Sequence, residues 1–416
     1  LIDGHELTEV TWTKNFRRRF LPANEPLPEN APKVSIHVPC YNEPPHMVMQ
    51  TLDALAKLDY PNFEVLVIDN NTKDEAVWRP LEAFCAQLGE RFRFFHFDVM
   101  KGFKAGALNY VLSQTAPDAK VIGVIDSDYM VRPDWLKAVI PYFDDPKIAY
   151  VQAPQDHRDW RDDRFKEMLN WEYAGFFDIG MCLRNEYDAI IQHGTMTLVR
   201  KDRMEEMDGW ATWCITEDTE LGLRLMEKGY GAMYTRERFG HGLTPDHFAG
   251  YKKQRFRWAY GAMQIMRAHK KELFGRGTLQ LTAGQRYHFL AGWLPWMADG
   301  LNVVFNLFAL TWSLLMVAFP TKIDAPLAMF SVLPLSLFVF KLAKLMHLYR
   351  VRIGAGIRQT LAASIAGLGL AHTIGFAVLK GLFTDNEPFF RTPKQANAQT
   401  LWGALQACRE EALMAF

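Results

Sequence analysis

The chain has 416 residues, enough for two or three folded units. Its 47 Lys plus Arg balance 47 Asp plus Glu, so no global charge points to nucleic acid and any basic patch is a local feature. Five cysteines, Cys40, Cys85, Cys182, Cys214 and Cys408, form no CxxC pair, which argues against a zinc ribbon or a disulfide scaffold and suits a reducing compartment.

The first residue is Leu1, no signal peptide is evident, and the last residues, Glu-Glu-Ala-Leu-Met-Ala-Phe, read as the start of a helix. The sequence therefore reads as a piece of a longer protein. Residues 1–32 are polar and Pro-rich, with Arg17, Arg18 and Arg19 in a row, and read as a solvated basic linker or one lying near anionic lipid. From residue 33, β-branched and aromatic runs at 34–39, 63–69, 92–98, 120–126 and 148–152 predict strands. Stretches of helical spacing, such as 46–58 and 80–88, lie between them. This alternation predicts an α/β domain over 33–280, a mostly parallel sheet with helices on both faces. Such sheets bind ligands beyond the carboxyl ends of their strands. The loops to search are PCYNE (39–43), DNN (69–71), DVMKGFKAG (98–106), DSD (126–128) and QAPQ (152–155).

Asp126 and Asp128, one residue apart after an apolar strand, suit one hard divalent cation beside substrate phosphates, although Asp and Ser are also common in plain strand-end turns. KGFKAGALN (101–109) sets two glycines and two lysines ahead of a helical stretch, a loop able to approach phosphates closely. It lacks the GxxxxGK[ST] spacing of a P-loop. In TEDTELGLRLMEKG (216–229), Leu221, Leu225 and Met226 repeat at helical spacing and Gly229 suits the helix end. Glu217 and Asp218 then sit at a helix start, where they either favour the dipole or present a general base.

If QRFRW (254–258) is helical, Gln254, Arg257 and Trp258 share one face at i, i+3 and i+4. Arg257 can grip a diphosphate with two bonds, Trp258 offers a flat apolar face, and Gln254 both donates and accepts. Lys252, Lys253 and Arg255 are then expected to point elsewhere, toward lipid head groups. Beyond them, 281–299 reads as an interfacial helix, with Arg286, His288, Trp293, Trp296 and Asp299 among apolar residues. Residues 300–319 and 325–346 read as membrane spans, the second with Lys341 and Lys344 near one end. Arg350, Arg352 and Arg358 mark the following loop as cytoplasmic, and two spans return the chain to the side where it began. Residues 359–383, apolar and rich in Ala and Gly, read as a third span or as an interfacial or re-entrant helix, ahead of a last segment, 384–416.

The order PCYNE, DNN, GFKAGALN, DSD, HGT (193–195), TED, QRFRW, then membrane helices resembles the family-2 processive glycosyltransferases, the group of cellulose, hyaluronan and chitin synthases. The match covers about residues 33–260 and extends into the membrane part. The resemblance implies a GT-A fold using a nucleotide-diphosphate sugar. Asp69 would contact the uracil, Tyr41 and Glu43 would lie at the uridine, and Lys104 near the donor. Asp126 and Asp128 would hold magnesium or manganese and the diphosphate. Of the TED motif Thr216, Glu217 and Asp218, Asp218 would deprotonate the acceptor hydroxyl. Gln254 and Arg257 would bind the diphosphate, and Trp258 would stack on the acceptor sugar, beside His193, Gly194 and Thr195.

FFRTPK (389–394) is similar to the FxVTxK gating loop of cellulose synthase in Phe389, Phe390, Thr392 and Lys394. Arg391 in place of Val and the presence of Pro393 depart from that pattern. A loop covering the nucleotide from the cytoplasmic side requires that 359–383 not cross the membrane, which favours the interfacial or re-entrant helix. The wording of KGFKAGALN, TEDTELGLRL and FFRTPK is closest to bacterial synthases of periplasmic, often cyclic, β-glucans. That implies UDP-glucose as donor, a growing β-1,3-glucan as acceptor, contact with membrane lipids and none with nucleic acid. It further implies a multi-pass protein of the bacterial inner membrane with its catalytic domain in the cytoplasm. Cellulose-, chitin- or hyaluronan-type synthesis, and single-sugar transfer to a lipid carrier, are the alternatives.

Overall fold

The computed structural model describes residues 2–13, 16–18, 20–23, 26–27, 30–277, 279–324, 329–385 and 401–411. The FFRTPK segment, with Phe389, Phe390, Arg391, Thr392 and Lys394, lies outside them.

The expected strands form as β1 (Lys33–Cys40), β2 (Phe63–Asn70), β3 (Phe92–Phe97), β4 (Ala119–Val124) and β6 (Ile148–Gln152), with β5 (Met130–Val131), β7 (Thr197–Arg200), β8 (Gly231–Tyr234) and β9 (Gly240–His241) added. Seven of them make one sheet in the order β3-β2-β1-β4-β7-β6-β8, and β5 pairs with β9. Within the sheet only β7 runs antiparallel to its neighbours, β4 and β6. Both faces are covered: along β2, Leu66 and Ile68 enter one apolar core while Val65 and Val67 enter the other. That is the period-2 alternation of a strand buried on both sides, and all eight β2 residues are buried. The chain passes from β1 outward to β2 and β3, then crosses to β4 on the far side of β1. The carboxyl ends of β1 and β4 therefore flank a topological switch point.

Three helices close the far side of that point. Phe248–Ala268 packs against Ala371–Phe383, which in turn packs against Ala283–Ala318. The last helix starts at a capping box, in which the Thr282 hydroxyl and the Gln285 amide N–H form one bond and the Thr282 amide N–H and Gln285 Oε1 the other. It runs unbroken for 36 residues, roughly 54 Å at ~1.5 Å per residue. The expected division into an interfacial helix (281–299) and a separate span (300–319) is therefore replaced by one helix of two characters. Phe289 and Trp293 in its first half are buried, whereas Leu301, Phe305, Phe308 and Val317 in its second half are 58–82% exposed. This helix and one within Met329–Arg352 are long and apolar enough to cross a membrane. Ile357–Leu368 and Ala371–Phe383 meet at a 41° bend, forming either a broken span or a re-entrant pair.

The described part of 1–32 is no free linker. Ile2–Trp12 is a helix packed on Met329–Arg352, where Lys344 donates to Asp3 and Glu6. Arg18 pairs with Asp188 at 2.9 Å. Arg18, one of the three arginines read as lying near anionic lipid, is thus spent inside the protein.

Candidate active site

A cavity of about 710 Å³ opens at the switch point. Tyr41 and Glu43 line it from the loop after β1, Asn70 and Asn71 from the end of β2, and Asp126 and Asp128 from the loop after β4. Lys104, His193, Gly194, Thr216, Glu217, Asp218, Gln254, Arg257 and Trp258 also line it. Residues spread over more than two hundred positions of sequence thus meet around one space.

Its centre is a charge cluster. Lys104, in the first turn of the helix Phe103–Gln114, donates from Nζ to Asp126 Oδ1 (2.7 Å) and to the Gly194 carbonyl (3.0 Å). Burial disfavours its charge, but Asp126 and Glu217 more than offset that and hold the ammonium protonated. Asp218 stands at the N-terminus of the helix Glu217–Glu227, with the Thr219 amide donating to its Oδ1 (2.7 Å). Burial raises the Asp218 pKa and Lys104 pulls it back down. Neighbouring Glu217 is raised by burial and by the Asp218 charge. Gly194 sits between the two functional groups: a Cβ there would lie 2.8 Å from Lys104 Nζ and 3.1 Å from Asp218 Oδ2. A glycine is what lets lysine and carboxylate face each other across this wall.

The QRFRW segment is helical, the condition under which Gln254, Arg257 and Trp258 share a face, and lies within Phe248–Ala268. Tyr173 donates its hydroxyl to Gln254 Oε1 (2.6 Å), which fixes the Gln254 amide. Burial lowers the Arg257 pKa, and the charges of nearby Glu217, Asp126 and Asp218 oppose that only in part. Trp258 presents one edge to the ring of Tyr173, at 5.9 Å and 82°. Arg255 departs from expectation. It does not point to lipid but is buried, paired with Glu172 and stacked over Trp258 (4.3 Å) and Tyr173 (4.5 Å). Lys252 likewise pairs with Glu411 at 2.6 Å, leaving Lys253 as the exposed cation of the cluster. The Arg255–Glu172 pair is a scaffold for the Trp258 face that sequence spacing did not reveal.

Two expected site residues do not reach the cavity. Asp69 is fully buried: it accepts from the Thr72 hydroxyl (2.7 Å) and contacts His96 Nδ1 (2.9 Å). The next residues, Asn70 and Asn71, line the cavity instead. Thr195 is also buried, and its hydroxyl accepts from the Asp126 amide (3.1 Å), so it positions a site residue from behind. His193 does line the cavity, its ring wedged against Phe176 and Phe177.

Among the described residues no group of three or more His, Cys, Asp and Glu forms a metal cage. The available donor set is the Asp126–Asp128 pair. Asp126 is about one-third exposed, and Asp128 is braced by the Leu243 amide on Oδ2 (2.8 Å). Two hard oxygen donors on the wall of this cavity fit magnesium or manganese, which keep waters and phosphate oxygens as their other ligands. They do not fit a closed zinc site.

A mostly parallel sheet with this switch-point cavity, its carboxylate pair after β4 and its charged second wall defines a glycosyltransferase of the GT-A class. Residues 31–261, more than half of the chain, match the family described as glycosyltransferase like family 2, and the chain belongs to that family. Cellulose synthase 1 of Komagataeibacter xylinus is 29% identical over 289 residues, which are 67% of this chain and 18% of that protein. The UDP-forming cellulose synthase catalytic subunit of Xanthomonas axonopodis pv. citri is 28% identical over 291 residues, 68% of this chain and 37% of the relative. The chain thus spans well under half the length of these relatives. Among solved structures, the mannosyltransferase PcManGT from Pyrobaculum calidifontis, in complex with GDP-Man and Mn2+, superposes with a TM-score of 0.60 at 17% identity, covering 92% of this chain and 95% of that one. At that identity the likeness is one of fold.

Proposed function

We propose that this chain carries the catalytic core of an inverting, processive synthase that builds a β-glucan from UDP-glucose. The observation that carries the reading is the convergence of Lys104, Asp126, Asp218, Arg257 and Trp258 on one cavity that continues to the first membrane helix through Trp293 and Trp296. In the proposed reaction the acceptor's hydroxyl oxygen attacks the anomeric carbon of the donor. Its proton passes to Asp218, the bond from that carbon to the diphosphate breaks on the opposite face, and UDP leaves. Arg257 and Lys104 supply fixed positive charge beside the departing diphosphate. A divalent ion held by Asp126 and Asp128 would supply further compensation of the phosphate charge. Trp258 holds the acceptor ring so that its hydroxyl meets the donor in line.

UDP-glucose as donor is supported by relatives named as UDP-forming cellulose synthases, whose product is a glucose polymer. A β-1,3 linkage rests on the motif wording of KGFKAGALN and TEDTELGLRL. A β-1,4 product is the second reading, favoured by the names of those same relatives. Two membrane-competent helices support a bacterial inner-membrane protein with the sheet domain in the cytoplasm, where UDP-sugars are made.

Asp218→Asn tests the core of the proposal. The variant keeps the shape of the base and removes its proton affinity. Transfer is expected to fall by about 10³-fold or more, within the range of removing a general base, while UDP binding measured by calorimetry stays near wild type. Turnover within a few-fold of wild type rules out Asp218 as the base.

A further inference from the structure

Arg184 lies on the membrane-helix side of the same cavity, in the helix Met181–Glu186, and neither motif order nor spacing pointed to it. Its guanidinium rests in a socket made by two glycines. A Cβ at Gly180 would lie 2.8 Å from Nη1, and one at Gly292 only 2.5 Å from Nη2. Gly180 ends a π-helical turn, Gly175–Gly180, that brings Phe176 and Phe177 together to the cavity wall. Such turns often mark functional sites. Gly292 belongs to the helix Ala283–Ala318, one residue before the cavity-lining Trp293. The planar group also lies 5.7 Å from the Phe176 ring centre.

Despite this socket, the guanidinium makes no hydrogen bond or ion pair with any described residue, and its Nε is buried without a partner. Burial lowers its pKa, and the charges of Glu6 and Glu9 oppose that only in part. A set-in guanidinium with idle donors is costly unless something comes to it. A ligand rich in acceptor oxygens and flat enough to lie along Phe176, Trp293 and Trp296 would meet those donors. A sugar ring has those properties.

Building on the synthase reading, we propose that Arg184, seated between Gly180 and Gly292, is a saccharide-binding residue that hydrogen-bonds the hydroxyls of a glucan unit behind the one stacked on Trp258. It holds the growing chain between additions and so sets how long the product becomes.

The test uses the full-length protein in detergent. Linear β-1,3- and β-1,4-gluco-oligosaccharides, tetra- to hexasaccharides, are titrated against intrinsic tryptophan fluorescence, and product length is read from radiolabelled UDP-glucose. Arg184→Gln removes the charge, and Gly292→Ala displaces the guanidinium without touching its chemistry. Both are expected to weaken oligosaccharide binding about tenfold or more, the loss expected for a charge-assisted hydrogen bond, and to shorten the product, with the KM for UDP-glucose within about twofold of wild type. Arg184→Lys should retain part of both properties, which a purely structural role does not predict. Wild-type binding and product length in Arg184→Gln and Gly292→Ala overturn the subsite while leaving the synthase reading intact. Inorganic pyrophosphate binding better than the oligosaccharides, and lost in Arg184→Gln, overturns the saccharide assignment. A wild-type protein that transfers no glucose and binds no oligosaccharide overturns both.

Discussion

Gly194 carries no side chain, yet the charge cluster is built around it. Its Cβ position is taken up by the Lys104 ammonium and the Asp218 carboxylate, so Gly194→Ala must push one of them away. The lysine end is the more mobile, and its bond to Asp126 is the one expected to break. Transfer should drop by roughly 10–100-fold, the cost of ~1.5–3 kcal/mol for one charged hydrogen bond, with the fold intact by circular dichroism. The same cluster fixes a pH profile. Burial raises the Asp218 pKa and Lys104 lowers it, with a net upward shift. As the base must be ionised, the acid limb of kcat/KM should lie above the pH where an ordinary aspartate titrates. Lys104→Gln should move that limb higher still; an unmoved limb contradicts the pairing. Asp126, Asp128 and Asp218 were legible in the sequence because each sits at the edge of one strand or helix, where local pattern decides placement. Asp69 was not, because the groups that bury it, Thr72 and His96, are brought to it by the turn after β2 and by the neighbouring strand β3.

Between elements, the decisive contact joins the helix that carries Asp218 to the helix that carries Arg257. Gly261 allows it at one end: a Cβ there would lie 2.3 Å from the Thr216 hydroxyl. At the other end His269 bridges two carboxylates, Glu227 Oε1 at 2.8 Å and Glu220 Oε1 at 3.4 Å. Burial alone would lower the His269 pKa, but its bonds to Glu220 and Glu227 raise it from 6.5 to about 9. A folded-state pKa above the unfolded one gives stability that is complete below pH 6.5 and lost as pH rises through about 9. This clamp contributes on the order of 1–3 kcal/mol. The inactivation temperature of wild type should therefore fall more steeply across that window than that of His269→Gln, and parallel slopes would show that the bridge contributes nothing. The helix that carries Asp218 was visible from its apolar spacing, but the clamp joins residues 42 positions apart and leaves no periodic trace. The strands β7 and β8 were missed for a related reason: four residues each, they are too short to show alternation.

At the scale of the whole molecule, the sheet domain and the membrane helices are continuous. The helix Ala283–Ala318 lines the cavity with Trp293 and Trp296 and then presents an exposed apolar surface. Composition showed both characters but placed a break at 299–300 where the backbone has none. The first half packs against Ala371–Phe383 and, more lightly, against Phe248–Ala268, which keeps its polar-flecked face in line with the apolar second half. Phe308, 68% exposed in that second half, should face lipid. Phe308→Arg is expected to cost about 2.5–3.5 kcal/mol of insertion and to lower the fraction recovered in alkali-washed membranes. Full recovery would place this surface against protein instead.

In the proposed synthase the cavity joins glucose units and hands them toward the membrane. The most direct test supplies the full-length protein in proteoliposomes with magnesium and radiolabelled UDP-glucose, then digests the product with linkage-specific glucanases. The expected result is a labelled polymer that a β-1,3-glucanase degrades and that Asp218→Asn does not make. A polymer made only from UDP-N-acetylglucosamine, or a single labelled sugar on lipid, would contradict it.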